Sequence, residues 1–78
     1  MAENDDVARY RTDLQGEIDS ASLYRALAET EEDPCMSTVY QKLAAMEDER
    51  AEFWRKNLNR VGARVSHISP SWRTRALA

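Results

Sequence analysis

Residues that interrupt helices or cross-link chains are scarce in this sequence. Its 78 residues include two glycines, two prolines and one cysteine. This scarcity, with 42% hydrophobic and 32% charged residues, favours a helical protein over a β-rich or disordered one. The single cysteine, Cys35, excludes a disulfide within the chain and fits a reducing compartment, although a link between two chains stays open. A lone cysteine usually acts as a small apolar residue.

Long apolar runs are absent as well. No run approaches the roughly 20 residues that a membrane-spanning helix needs, and the N terminus does not resemble a signal peptide. We therefore expect a soluble, cytoplasmic chain. A chain this short buries too little surface to be comfortably stable by itself, so we also expect a partner or a bound cofactor.

Acidic residues do not occur after residue 52. Residues 1–52 contain all 14 acids and carry a net charge of −9, whereas residues 53–78 carry +6. Basic residues without a recognisable nucleic-acid-binding motif are weak evidence for a nucleic-acid partner, and we expect no such partner. Basic residues collect at the cytoplasmic face of membranes, which makes a connector close to a membrane the better functional interpretation of this segment.

Apolar positions at helical spacing predict two helices. Steps of three and four residues, such as Val7, Tyr10 and Leu14, predict the first helix over about residues 6–31. Asp33 followed by Pro34 predicts the start of a second helix, which Gly62 ends. Because short connections make helices antiparallel, we expect an all-α antiparallel hairpin over residues 1–62. A linker over 63–69 and the start of a truncated connector helix over 70–78 follow.

Two charged residues share helical spacing with the apolar residues of the second helix. Glu47 and Arg50 lie on the stripe that also carries Leu43 and Trp54. A charge removed from water is costly unless it is paired or bound to metal. With the turn centred between residues 32 and 33, Glu17 and Glu47 lie about 23 Å and about 22 Å from it, at 1.5 Å per residue. Two inward carboxylates at one level repel each other unless a cation is present.

A lone hairpin leaves one face uncovered. Two copies related by a two-fold axis would form a four-helix bundle and bring the carboxylates of both copies near its centre. Facing glutamates in such a bundle are the ingredients of a carboxylate metal site. We therefore expect a homodimer.

The residues around both carboxylates resemble the ferritin-like di-iron proteins of the rubrerythrin type. The closest resemblance is to the ferritin-like domain that precedes the membrane domain of vacuolar iron transporter proteins. The matching text is LQGEI at 14–18 with Ala21, Tyr24, Leu27 and Ala28 on the first helix, and LAAME at 43–47 with AEFW at 51–54 on the second. The segment PSWRTRALA at 70–78 resembles the connector of that family.

The resemblance implies that Glu17 and Glu47 are iron ligands and that Tyr24 lies near the site. It also implies a ferroxidase-like or peroxidase-like reaction with dioxygen or peroxide, in iron storage, detoxification or delivery to an attached transporter domain. The family motif Glu-x-x-His falls on residues 47–50, where this chain has Arg50. Arginine is not a metal ligand, since its guanidinium stays protonated and only donates hydrogen bonds.

Two interpretations therefore stay open. In the first, Glu17 and Glu47 of two hairpins bind iron and oxidise it. In the second, the protein is a metal-free dimerisation or regulatory module, in which Arg50 forms a buried salt bridge with Glu17 or Glu47 in place of the metal. In either dimer four carboxylates face two guanidiniums, and the remaining charge of −2 could accept one divalent ion or two protons, or be softened by water.

The remaining polar and aromatic residues have simpler explanations. Asp48, Glu49 and Glu52 are expected on the solvated face of the second helix, and His67 is expected to be exposed in the linker. Aromatic residues at helical spacing are expected in the bundle core and the dimer interface; they are Tyr10, Tyr24, Tyr40, Phe53 and Trp54.

Overall fold

The computed structural model describes residues 2–63, 65 and 68–71, with side chains from Asp6 onward. Helix α1 spans Ala2–Thr30 and helix α2 spans Pro34–Arg60. The two helices pack side by side as a hairpin, and no strand occurs in the described part of the chain. The predicted all-α hairpin is confirmed. Helix α1 begins about four residues earlier than predicted, and the acids of this first turn favour a helix because they complement its dipole.

Local signals explain where α2 begins. The Asp33 side chain accepts a hydrogen bond of 2.9 Å from the backbone N–H of Cys35, and its own backbone is extended. Pro34 follows in the first turn, where its missing N–H costs nothing. The Ser37 hydroxyl donates a 2.8 Å hydrogen bond to the Ala28 carbonyl and ties the start of α2 to the end of α1. The predicted cap and helix start are confirmed.

Gly62 ends α2 through a Schellman motif. Its φ of 81° lies in the left-handed region that favours glycine. The Gly62 N–H donates to the Asn59 carbonyl over 3.0 Å, and the Ala63 N–H donates to the Leu58 carbonyl over 3.0 Å. These two bonds satisfy carbonyls that the helix end would otherwise leave free. Ala63 then packs against the core cluster that contains Leu58.

The core between the two helices is small. Leu14 and Leu58 are fully buried, with 0% of each residue exposed. The other buried apolar residues described are alanines at positions 21, 44 and 51. Alanines at the contact let the helices approach closely, but they contribute little apolar area. The hairpin therefore buries few large side chains, whereas Met46 and Phe53 stay at least half exposed.

The described residues after Gly62 lie against the hairpin and contact α1. Val65 and Ile68 pack against the hairpin core. The Gln15 amide donates a 3.0 Å hydrogen bond to the Ser69 carbonyl. The Asp19 carboxylate accepts two hydrogen bonds from Ser71, one from its N–H at 2.7 Å and one from its hydroxyl at 2.6 Å. Part of the segment expected to be a linker therefore packs on the hairpin. We call residues 63, 65 and 68–71 the strap.

Some expectations fall on residues that the structure does not describe. His67 and residues 72–78 of the expected connector helix lie outside the described residues.

Replacing Asp19 with alanine is expected to release the strap. The change removes two hydrogen bonds to an ionised carboxylate, each worth roughly 1.5–3 kcal/mol in favourable settings, while alanine suits the helix better than aspartate. Amide hydrogen exchange of strap residues 63, 65, 68, 69 and 71 should accelerate while α1 and α2 stay protected. Asp13→Ala, on the same helix, is the matched control and should leave the strap unchanged. Equal exchange in wild type and Asp19→Ala would show that these bonds do not hold the strap.

Candidate carboxylate centre

Two aromatic pairs join the helices on one side of the hairpin. The rings of Tyr10 and Trp54 lie 5.6 Å apart between centroids, near the open end. The rings of Tyr24 and Tyr40 are stacked nearer the turn, with centroids 6.4 Å apart and planes inclined by 20°. Each pair links α1 to α2, so together they define the register of the two helices.

The carboxylates of Glu17 and Glu47 belong to the layer between these aromatic pairs. Each glutamate is seven residues from both aromatic residues of its own helix. Seven residues are close to two turns, or about 10.5 Å along the axis, and they return to nearly the same face. The helices are antiparallel, and on each helix the glutamate lies seven residues from the ring of either aromatic pair. Glu17 and Glu47 therefore lie at the same height along the hairpin. Both are partly buried.

Glu47 and Arg50 form an ion pair within α2. Arg50 Nη1 lies 3.6 Å from Glu47 Oε1, which is longer than a hydrogen bond. The Glu47 side chain is 15% exposed and the Arg50 side chain is 60% exposed. Arg50 thus pairs with Glu47 in one chain, but the pair is not buried there, because more than half of the Arg50 side chain is exposed.

Arg50 lies within a row of apolar side chains on α2, most of which are exposed. We call this row the open stripe; its residues, spaced three and four apart along α2, are Met36, Val39, Leu43, Met46, Arg50 and Phe53. Met36, Val39, Met46 and Phe53 are exposed large hydrophobic residues. Alternating steps of three and four are typical of a helix that packs against another helix along a seam. The residues that the sequence placed on one stripe of α2 therefore lie on two faces. Glu47 and Trp54 lie towards α1, and Arg50 lies on the open stripe.

Tyr24 lies two turns from Glu17 on the same face of α1. Side chains in helices lean towards the N terminus, so Tyr24 leans towards the carboxylate layer. Its ring is held against Tyr40. The position is suited to supporting the carboxylate layer from the side of the turn.

Other acids of α2 face elsewhere. Asp48, Glu49 and Glu52 are exposed, as expected for a solvated face. Asp48 forms a salt bridge with Arg25 of α1. This pair, with Glu52, lines a groove of about 610 Å³ that residues 68–70 also line. These acids therefore belong to a different surface from the carboxylate layer.

One chain offers two carboxylates at the candidate centre. In the part of the chain that the structure describes, His, Cys, Asp and Glu side chains do not form a group of three or more that holds a metal ion. Carboxylate oxygens are nevertheless the donors that Fe²⁺ and Mn²⁺ accept readily. The residues fit a divalent ion only if a second copy supplies further carboxylates.

Sequence reasoning placed both glutamates at one level but missed the aromatic pairs that bracket them. Tyr10, Tyr40 and Trp54 were expected only as core or interface residues. The repeat of seven residues, at 10–17–24 on α1 and 40–47–54 on α2, is the signal from which this layering follows.

Comparisons of the chain with protein families, with curated proteins and with solved structures found no match. Among the described residues, neither helix is both long and apolar enough to cross a membrane.

Proposed function

We propose that this chain is a ferritin-like hairpin that dimerises into a four-helix bundle and binds iron at its centre. Glu17 and Glu47 of both copies are the proposed ligands. The observation that carries the proposal is the shared layer of the two carboxylates, bracketed by aromatic pairs and adjacent to an uncovered apolar stripe. The biological setting is iron storage, detoxification or delivery to a transporter domain.

The open stripe supports the dimer. A hairpin with two large buried side chains has a small core, and small domains commonly gain stability by oligomerisation. A two-fold axis places identical surfaces of two copies against each other. When the open stripes of two copies pack against each other, Met46 and Phe53 are covered. The alternating spacing of three and four residues is the one found where helices pack along each other in bundles. A second copy is therefore the partner that fits this face.

The same two-fold axis completes the donor set. It brings together four carboxylates, and glutamates from facing helices are the ligands of carboxylate-bridged iron sites in bundles. Ferrous iron held by carboxylates can be oxidised by dioxygen or peroxide, which is the chemistry the bound ion would supply. The chain contributes binding through Glu17 and Glu47, and Trp54 and Tyr24 shield the layer from water on either side.

A second candidate function is metal-free dimerisation. The ion pair between Arg50 and Glu47 favours it, because a cation already sits beside one proposed ligand. In this case the bundle would organise or regulate an attached domain, and the two Arg50 side chains would permanently offset half of the negative charge of the acidic layer.

An anaerobic titration with ferrous iron separates the two candidates. Under the iron proposal, wild type retains iron after desalting, and on exposure to air oxidises it faster than buffer alone. Glu47→Gln should lose most of the bound iron, because an amide is a far poorer ligand than a carboxylate. Glu49→Gln, on the exposed side of the same turn, is the matched control and should bind as wild type does. A dimer that retains no iron would favour the metal-free function, and a monomer would contradict both.

A further inference from the structure

We infer that Arg50 is a built-in counter-ion of the acidic layer, which lets two copies assemble without metal and limits the centre to one divalent ion per dimer. The inference rests on the proposed dimer and concerns how its centre is balanced. It follows from the placement of a guanidinium on an otherwise apolar seam.

Arg50 needs a carboxylate partner once a second copy covers the open stripe. In one chain its side chain is 60% exposed, so water still solvates much of the guanidinium. A second copy packed over Met46 and Phe53 removes that water. Desolvating an unpaired charge is costly, whereas pairing it with carboxylates offsets the cost. A single polar residue on such a seam also selects one register and one number of chains.

The geometry of the existing ion pair leaves most of the guanidinium available. The contact with Glu47 is 3.6 Å long, which is too long for a hydrogen bond, so it occupies none of the N–H donors of Arg50. A guanidinium carries five N–H donors and can hold a carboxylate through two of them. In the dimer, Arg50 can therefore join Glu47 of its own chain to an acidic residue of the second copy.

The charge count determines how much metal the centre accepts. Four carboxylates from Glu17 and Glu47 of two chains carry −4, and two Arg50 side chains carry +2. The balance of −2 equals one divalent ion. A second divalent ion would leave a net charge of +2 in a poorly hydrated site, where like charges repel strongly. Without Arg50, the apo centre would carry −4 and would need metal to assemble.

The variant Arg50→Gln tests the inference, because glutamine keeps much of the length and removes the charge. In a chelator its dimer dissociation constant should rise by roughly tenfold or more relative to wild type. Manganous ion should restore the variant dimer, with about two ions bound per dimer, whereas wild type should bind one. Arg50→Lys keeps the charge, so its dimer should form in chelator and bind one ion.

Arg9→Gln is the matched control. Arg9 also pairs with an acid three residues away, Asp6, at 3.3 Å, but both side chains of this pair are about half exposed or more. The control should dimerise and bind manganous ion as wild type does. The inference is overturned if Arg50→Gln dimerises in chelator as tightly as wild type does, or if both proteins bind the same number of ions per dimer. A monomeric wild type would instead overturn the dimer on which the inference rests.

Discussion

The variant Leu58→Ala is expected to be largely unfolded at room temperature. Leu58 is fully buried between the helices and packs with Leu14 at the open end, where the strap also attaches. Truncating such a leucine costs about 2–5 kcal/mol. A chain of this size rarely has more than about 3–5 kcal/mol to lose. Circular dichroism at 222 nm should therefore show most of the helical signal gone, and a thermal scan should show no cooperative transition.

The control for this prediction is the same substitution at an exposed site. Leu23 lies on α1 and is 48% exposed, away from the core. Leu23→Ala should change stability by only about 0.5 kcal/mol, as surface substitutions usually do. If Leu58→Ala melted cooperatively at the wild-type temperature, the small core would not be what holds the hairpin together.

The variant Phe53→Glu is expected to be a monomer. Phe53 is 57% exposed on the open stripe, one turn from Arg50. In the proposed dimer each substitution buries a new carboxylate near an acidic layer, and the two-fold axis introduces it twice. Buried like charges across an interface cost several kcal/mol, so the dissociation constant should rise by roughly 100-fold or more. Sedimentation velocity measures this shift, and circular dichroism should show that the helices remain.

Leu23→Glu is the matched control for the interface. It adds the same charge to an exposed apolar position that is not on the open stripe. This variant should remain a dimer. If Phe53→Glu stayed dimeric while Leu23→Glu dissociated, the two copies would meet through α1 rather than through the open stripe.

Local signals made the hairpin predictable. Asp33, Pro34 and Gly62 each act through a short-range backbone effect, namely a cap, a fixed first turn and a left-handed helix end. Such effects depend on neighbours along the chain, so they can be recognised without tertiary information. The start of α1 was less predictable because the polar residues of its first turn have no apolar repeat.

The strap was not predictable from the sequence. Val65 and Ile68 show no helical or alternating pattern, and Asp19 lies 52 residues from its partner Ser71. A contact between such distant residues depends on how the Schellman motif directs the chain after Ala63. Only the folded hairpin shows that this direction returns along α1.

The carboxylate layer was predictable in part. Counting residues from the turn placed Glu17 and Glu47 at one level, and the aromatic pairs support that register. The partner of Arg50 was not predictable, because helical spacing allows Glu47 and a cross-helix arrangement allows Glu17. The structure pairs Arg50 with Glu47 and leaves its other side open.

Native mass spectrometry of the protein with ferrous iron, without oxygen, tests the central claim most directly, because one spectrum reports both chain number and bound ions. We expect a species of twice the 9.0 kDa chain mass that carries one iron ion. The Glu47→Gln variant should give the same dimer without iron. A monomer, or a dimer that binds no iron at any concentration tested, would show that two copies of this chain do not form an iron site.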